Sequence, residues 1–363
     1  MTNDELDAAL DRLRGTGPQV VRGMDPNHGP MVVEALIALD RASVAPQWAE
    51  QYRQRLGALS PATSPVTTET WREALGMDAR FPDWVAFFNR QLAESPWQKV
   101  LEEWLSRLVP GIVTAGTHGL IRTAHAARAL SRGSTPLRVD ELGVGLAYWC
   151  SYYGALAGAP HMTGDLDLRS AIAGVPRIMR GRQRMGIPRK FVYEMSGKEE
   201  LITAVQAASQ PQSVTEAIST FSEAGARLYL ANRSRYPLIF IHAVTAPAAL
   251  RLLLPHMKPE TQRAALAYFW QSQAAMIAAY GEDSDAVDSA LQSLPSTTWT
   301  ELVDRSIEDG DPHSIKFVEA SERESRVHPS AYYMAAVLDW SNRRRSARSG
   351  NQDELRAAGM AFG

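Results

Sequence analysis

The chain has 363 residues, 38 of them basic and 40 acidic, for a formal charge of −2. Hydrophobic side chains make up 45% and charged ones 21%, the composition of an ordinary globular protein, which argues against disorder. A near-zero charge gives no electrostatic footprint for nucleic acid, and one cysteine, Cys150, excludes an internal disulfide framework and a CxxC-type zinc site.

In chain order, MTNDELDAALDRLRG is acidic and amphipathic without an apolar h-region, so no secretory signal is expected and the protein reads as reduced and cytoplasmic. DPNHGP (25–30) leads into a predicted helix at 30–42, where Val32, Val33, Leu36, Ile37 and Leu39 form one broad stripe. LSPATSPVTTET (59–70) reads as a loop, because Pro, Ser and Thr cluster there. Helices are predicted at 82–95 and 97–109, separated by Pro96, then at 114–131 and 138–157. GAPHMTGDLDLRS (158–170) is loop-like and opens an irregular excursion to about residue 200. Further helices are predicted at 213–229, 237–254, 259–280, 283–292, 312–324 and 328–347. The apolar run YPLIFIHAVTAPAALRLLLP (236–255) carries His242, Thr245, Pro247 and Arg251, which suits a buried helix better than a membrane span. Strict alternation of apolar and β-branched residues is nearly absent. The expectation is one all-α domain over 1–363, with its core at about 20–340 and a metal site in the bundle interior.

Several chemistries are missing. There is no GxxxxGK[ST] phosphate loop, no GxGxxG after a predicted strand, no GxSxG elbow and no HExxH. The basic cluster Arg177, Arg180, Arg182, Arg184, Arg189 and Lys190 is interleaved with Gly181, Gly186 and Pro188. It reads first as a solvated loop, and second as a loop for an acidic ligand or partner.

The eight histidines are the informative feature. His28 immediately precedes the helix at 30–42. In THGLIRTAHAARAL (117–130), positions 118, 122 and 125 share one narrow helical stripe carrying His118, Arg122 and His125. His242 sits in the most apolar segment of the chain. In DPHSIKFVEA (311–320), Asp311 reads as an N-cap and Pro312 as the first helical residue, which stacks His313 and Lys316 in the first turn. Any one of these histidines reads best as a satisfied core residue. Four separate segments, each bringing an imidazole into an apolar helical context, point instead to a metal bound inside a bundle. His161, His256 and His328 sit beside prolines and are set apart.

The segments NHGPMVVEALIALDR, HGLIRTAHAARAL, PLIFIHAVTAPAALRLLLP and DPHSIKFVEA resemble, in order, the spaced motifs of the questin oxidase-like family. The resemblance spans about residues 20–340. It implies a helical fold and an O2-dependent cleavage or oxygenation of a quinone ring in an anthraquinone-type aromatic polyketide. It also implies a mononuclear non-haem Fe(II) held by His28, His118, His242, His313 and a Lys316 carboxylated by CO2. Fungal members resemble H-P-L-I-H-L-G-Y where this chain has HGLIRTAH, which sets Arg122 at their second histidine and His125 at their tyrosine. His118 or His125 then supplies the second imidazole, with His118 preferred.

The chemistry explains the residue types. Desolvation pushes a buried lysine toward its neutral amine, which reacts with carbon dioxide to give an anionic carbamate. That oxygen donor takes the place of the carboxylate in a two-His-one-carboxylate iron site. Arg122 is expected to face an anion, either the carbamate or an oxyanion of the substrate; on a rotated helix it would cap a surface carboxylate. Arg122 and His125 are the candidate catalytic groups. Trp149, Tyr152, Tyr153, Phe269, Trp270, Tyr332 and Tyr333 are candidate walls for a flat ligand, or plain core packing. The competing readings are an oxygenase of this family assisted by NAD(P)H or flavin without a firmly bound metal, and a non-catalytic helical protein that binds aromatic ligands.

Overall fold

The predicted helical periodicity is realised throughout a computed structural model that describes residues 2–21, 23, 25–179, 188–282, 287, 291 and 296–348. Among the described residues there are seventeen α-helices and one two-stranded sheet, so the protein is all-α. The chain divides into two compact units, Met1–Ala155 with Leu252–Thr261, and Leu156–Arg251 with Gln262–Phe362.

The first unit contains α1 (Thr2–Leu13), β1 (Thr16–Val20), α2 (Gly29–Ala38), α3 (Ala45–Arg53), β2 (Leu56–Ala58), α4 (Trp71–Ala74), α5 (Phe81–Glu94), α6 (Trp97–Leu108), α7 (His118–Arg132) and α8 (Pro136–Ser151). Helix α8 packs on both α5 and α7, while α2 packs on α7 and on α3. Trp104 gathers Trp71, Trp84, Phe87 and Phe88 around its ring at centroid distances of 5.0–5.6 Å, an edge-to-face cluster that anchors α5 and α6. The α7–α8 contact is close because Gly119 lies against Trp149; a Cβ there would stand 2.7 Å from the indole Cγ. Trp149 itself donates its indole N–H to the Gly111 carbonyl.

The second unit contains α9 (Leu168–Ala173), α10 (Pro188–Ser196), α11 (Glu199–Gln206), α12 (Val214–Asn232), most of α13 (Pro237–Leu253) and α14 (Pro259–Tyr280), then α15 (Trp299–Asp309), α16 (Pro312–Val327) and α17 (Ala331–Arg348). Helices α15, α16 and α17 pack on one another, and α12 packs on α17. Phe221 of α12 meets Phe269 and Trp270 of α14, and the Trp270 indole donates to the Val205 carbonyl. Among the described residues one segment, Pro237–His256, is long and apolar enough to cross a membrane, and 72% of its most apolar stretch is buried inside the protein.

Several elements depart from the sequence expectation. The helix predicted from 114 begins at His118, because Ala115, Gly116 and Thr117 adopt φ of 49°, 63° and 71° in succession. The β1–β2 pair joins Thr16 to Ala58 and Val20 to Leu56. These strands are too short and too rich in glycine and proline to show a period of two. Helices α1, α3, α4, α9, α10, α11 and α15 were not expected, α9 and α10 falling in the stretch read as irregular, although Thr298 and Glu301 form a capping box that announces α15. The helix predicted at 283–292 falls almost entirely outside the described residues.

Candidate functional site

In the first unit, His28 occupies the N-cap position of α2, and its backbone N–H donates to the Tyr52 hydroxyl at 3.0 Å. Burial pushes the Tyr52 phenol up to about 12, against the lowering effect of that hydrogen bond. His118 is the first residue of α7, and its ring meets that of His28 edge-on, with centroids 4.8 Å apart and planes at 86°. The His118 Nδ1 lies 2.7 Å from the Ala115 carbonyl, so Nδ1 carries the proton and the ring lone pair sits on Nε2.

The carbonyl is presented by the left-handed run at 115–117. Left-handed φ costs non-glycine residues about 1–2 kcal/mol each, and such strain gathers at functional sites. Replacing Ala115 with glycine relieves one of these residues and, less the unfolded-chain entropy that glycine adds, is expected to stabilise the protein by about 0.5 kcal/mol in denaturant unfolding. Lower stability would mean that the strain at this residue is smaller than that entropy cost.

In the second unit, His242 of α13 and His313 of α16 form another edge-on pair, with centroids 5.6 Å apart. His242 Nδ1 lies 2.7 Å from the Leu238 carbonyl, which again leaves the lone pair on Nε2. Burial, helped by the nearby charges of His313 and Lys316, pushes His242 down to about 3, so its imidazole is neutral near pH 7. Asp311 caps α16 as expected: its carboxylate accepts from the backbone N–H of His313 at 2.8 Å and of Ser314 at 3.3 Å, with Pro312 following. Although burial works against ionisation, the His313 hydrogen bond and charge and the Arg344 guanidinium hold Asp311 well below the usual carboxylate range. That cap starts the helix turn that carries His313, half-buried, and Lys316, which is 2% exposed.

The stripe predicted on α7 is real: His118, Arg122 and His125 are all buried. The partners of the last two differ from expectation. Arg122 is 4% exposed. Its Nε and Nη2 donate to Glu141 of α8 at 2.7 and 3.0 Å, a two-pronged pair within the first unit. His125 Nδ1 is bound to Glu34 of α2 at 2.6 Å. Glu34 also accepts from Arg128 Nε at 2.7 Å and Arg132 Nη1 at 3.0 Å. Burial raises the Glu34 carboxyl, but Arg128 and His125 outweigh it and hold the group at about 2.

Glu34, Glu141 and Tyr52 escaped the sequence reading. Glu34 left one usable signal, a lone carboxylate inside the apolar run PMVVEALIAL. The aromatic candidates divide. Trp149, Phe269 and Trp270 are fully packed core residues, and Tyr152 stacks on Tyr148. Tyr153 packs on Gly111, and Tyr332 lies under the Arg227 guanidinium. Tyr333 is buried, and its hydroxyl has no hydrogen-bond partner among the described residues. Of the basic cluster, Arg180, Arg182 and Arg184 lie outside the described residues, while Arg177 donates to the Val175 carbonyl.

A family model described as questin oxidase-like matches residues 26–135 and 163–321, stretches that contain His28, His118, His242, His313 and Lys316. No curated protein matches the chain.

Proposed function

This chain belongs to the questin oxidase-like family, and from that membership we propose that it is an oxygenase using O2 on the quinone ring of an anthraquinone-type aromatic polyketide. The family's name denotes an oxidase, which sets the class of reaction and a small-molecule substrate. The reading assigns a mononuclear Fe(II) to His28, His118, His242 and His313, with Lys316, as its CO2-derived carbamate, as the anionic donor. The observation that carries it is the pairing of imidazoles within each unit, buried in the first and half-buried in the second, one member of each pair tied through Nδ1 to a backbone carbonyl. That arrangement directs Nε2 lone pairs away from the backbone and is how protein scaffolds orient metal-binding histidines.

When bound, such an ion supplies one-electron chemistry for dioxygen. The residues of the chain do the rest. The Ala115 and Leu238 carbonyls fix two ring orientations. Asp311, as the cap of α16, sets the turn that bears His313 and Lys316. Arg122 and His125, each paired with a carboxylate, Glu141 and Glu34, are the candidate catalytic groups of this reading.

Metal analysis of protein purified without oxygen tests the reading. The expected content is about one iron per chain, lost in both His118→Ala and His242→Ala. Protein that turns over an anthraquinone while free of metal would overturn it. Under 13CO2, a carbamate carbon resonance is expected in the native protein and not in Lys316→Arg.

A further inference from the structure

Two of the imidazoles are oriented by a main-chain carbonyl, His118 by Ala115 and His242 by Leu238. At His313 a carboxylate stands beside the same ring nitrogen. Asp311 Oδ1 is 3.6 Å from His313 Nδ1, while the ring lies edge-on to His242.

Capping alone does not account for this carboxylate. The cap on α16 needs one acceptor, and Oδ1 supplies it to the backbone N–H groups of His313 and Ser314. Serine or asparagine would cap as well, without the negative charge. The second oxygen, Oδ2, has no part in the cap; it meets Arg344 of α17, whose Nη2 is 3.3 Å away. Arg344 is fixed in turn. Its Nε donates to the two oxygens of Asp309, the last residue of α15, at 3.2 and 3.1 Å. Asp309 also accepts from the Ser314 hydroxyl, whose oxygen accepts from the buried Trp340 indole at 2.8 Å. Gly310, at φ 66°, turns the chain between the two aspartates so that both reach the one guanidinium. Three helices thus hold one carboxylate beside one imidazole.

We propose that Asp311 is a positioning residue: its charge, aimed by Arg344, keeps the His313 proton on Nδ1 and leaves the Nε2 lone pair as the donor. An anion beside a ring nitrogen favours the tautomer with hydrogen on that nitrogen, because the N–H dipole then points at the charge. It also makes the far nitrogen a stronger base, the part that outer carboxylates play in histidine metal sites. That second consequence rests on the oxygenase reading; the tautomer does not.

Nitrogen-15 spectra of the metal-free full chain, labelled on histidine, test the tautomer at a pH about two units above the ordinary histidine pKa. The His313 signals are those lost in His313→Gln. The native ring is expected to carry its proton on Nδ1 alone. Asp311→Ser, which keeps a capping oxygen, is expected to make the Nε2-protonated form the majority. Cobalt(II) titration of the same proteins tests the consequence for a metal: affinity in Asp311→Ser is expected to fall about tenfold to hundredfold. Protonation of Nε2 in the native ring, or a spectrum unchanged in Asp311→Ser, would overturn the proposal. Equal cobalt affinity in the two proteins, where the native chain binds it, would overturn it as well. Should Asp311→Ser not fold, the native spectrum decides. A native chain that takes no cobalt counts against the oxygenase reading, and the tautomer still decides the role of Asp311.

Discussion

Gly225→Ala is expected to destabilise the protein by about 4 kcal/mol, at the upper end of single-residue effects. The reason lies in two helices of the second unit. Pro247 sits inside α13 and has no N–H, so the Ala243 carbonyl, four residues earlier, is denied its helical donor. Gly225 of α12 rests against that same carbonyl: a Cβ built on it would lie 2.2 Å from the Ala243 oxygen and 2.5 Å from its carbon. Real Cβ atoms do not approach backbone this closely, and no flexible side chain is there to yield. Two buried helices must separate, which forfeits packing along their whole contact. Gly197→Ala is the control, since nothing lies within 4 Å of its built Cβ. It is expected to change stability by less than about 0.5 kcal/mol. Denaturant midpoints at constant m would measure both. A Gly225→Ala loss below about 1 kcal/mol would show that the helices can part without cost.

Glu34→Gln is expected to cost about 3–5 kcal/mol and to flatten the acid side of the stability profile. Glu34 is 2% exposed and holds Arg128, Arg132 and His125 around one carboxylate. An amide keeps the shape but leaves the partly buried Arg128 without its counter-charge, and that accounts for most of the loss. The pH dependence follows from linkage. The folded carboxyl sits at about 2, below its ordinary value of 4.5, so ionised Glu34 contributes stability that is fully present above pH 4.5. That contribution falls away as the pH drops toward 2. Stability measured by denaturant between pH 7 and pH 2 would therefore show a smaller acid loss in Glu34→Gln than in the native chain. Superimposable acid limbs would remove Glu34 as their source.

Glu34 also marks the boundary of what a linear reading can reach. Its partner His125 is 91 residues away in the chain, and nothing local to PMVVEALIAL says which helix will supply the cation. Arg122 is similar. Its place on a buried stripe followed from a period of 3.6, but whether its counter-ion was a substrate, a carbamate or Glu141 depended on which residue α8 would bring to it. By contrast, the Asp311–Pro312 start of α16 was fully legible, because a cap and its first turn satisfy each other within four residues.

Local chemistry thus determined the all-helical class, the start of α16, the burial of the α13 segment and the apolar settings of His28, His118, His242 and His313. These follow from periodicity and capping, which act over one or two turns. Only the tertiary structure decided the edge-on imidazole pairs, the left-handed approach to His118, the Glu34 and Glu141 partnerships, the Gly225–Ala243 contact and the β1–β2 strands. Each joins atoms from separate segments or strains a backbone that neighbours must hold, and their energies appear only once distant surfaces have met.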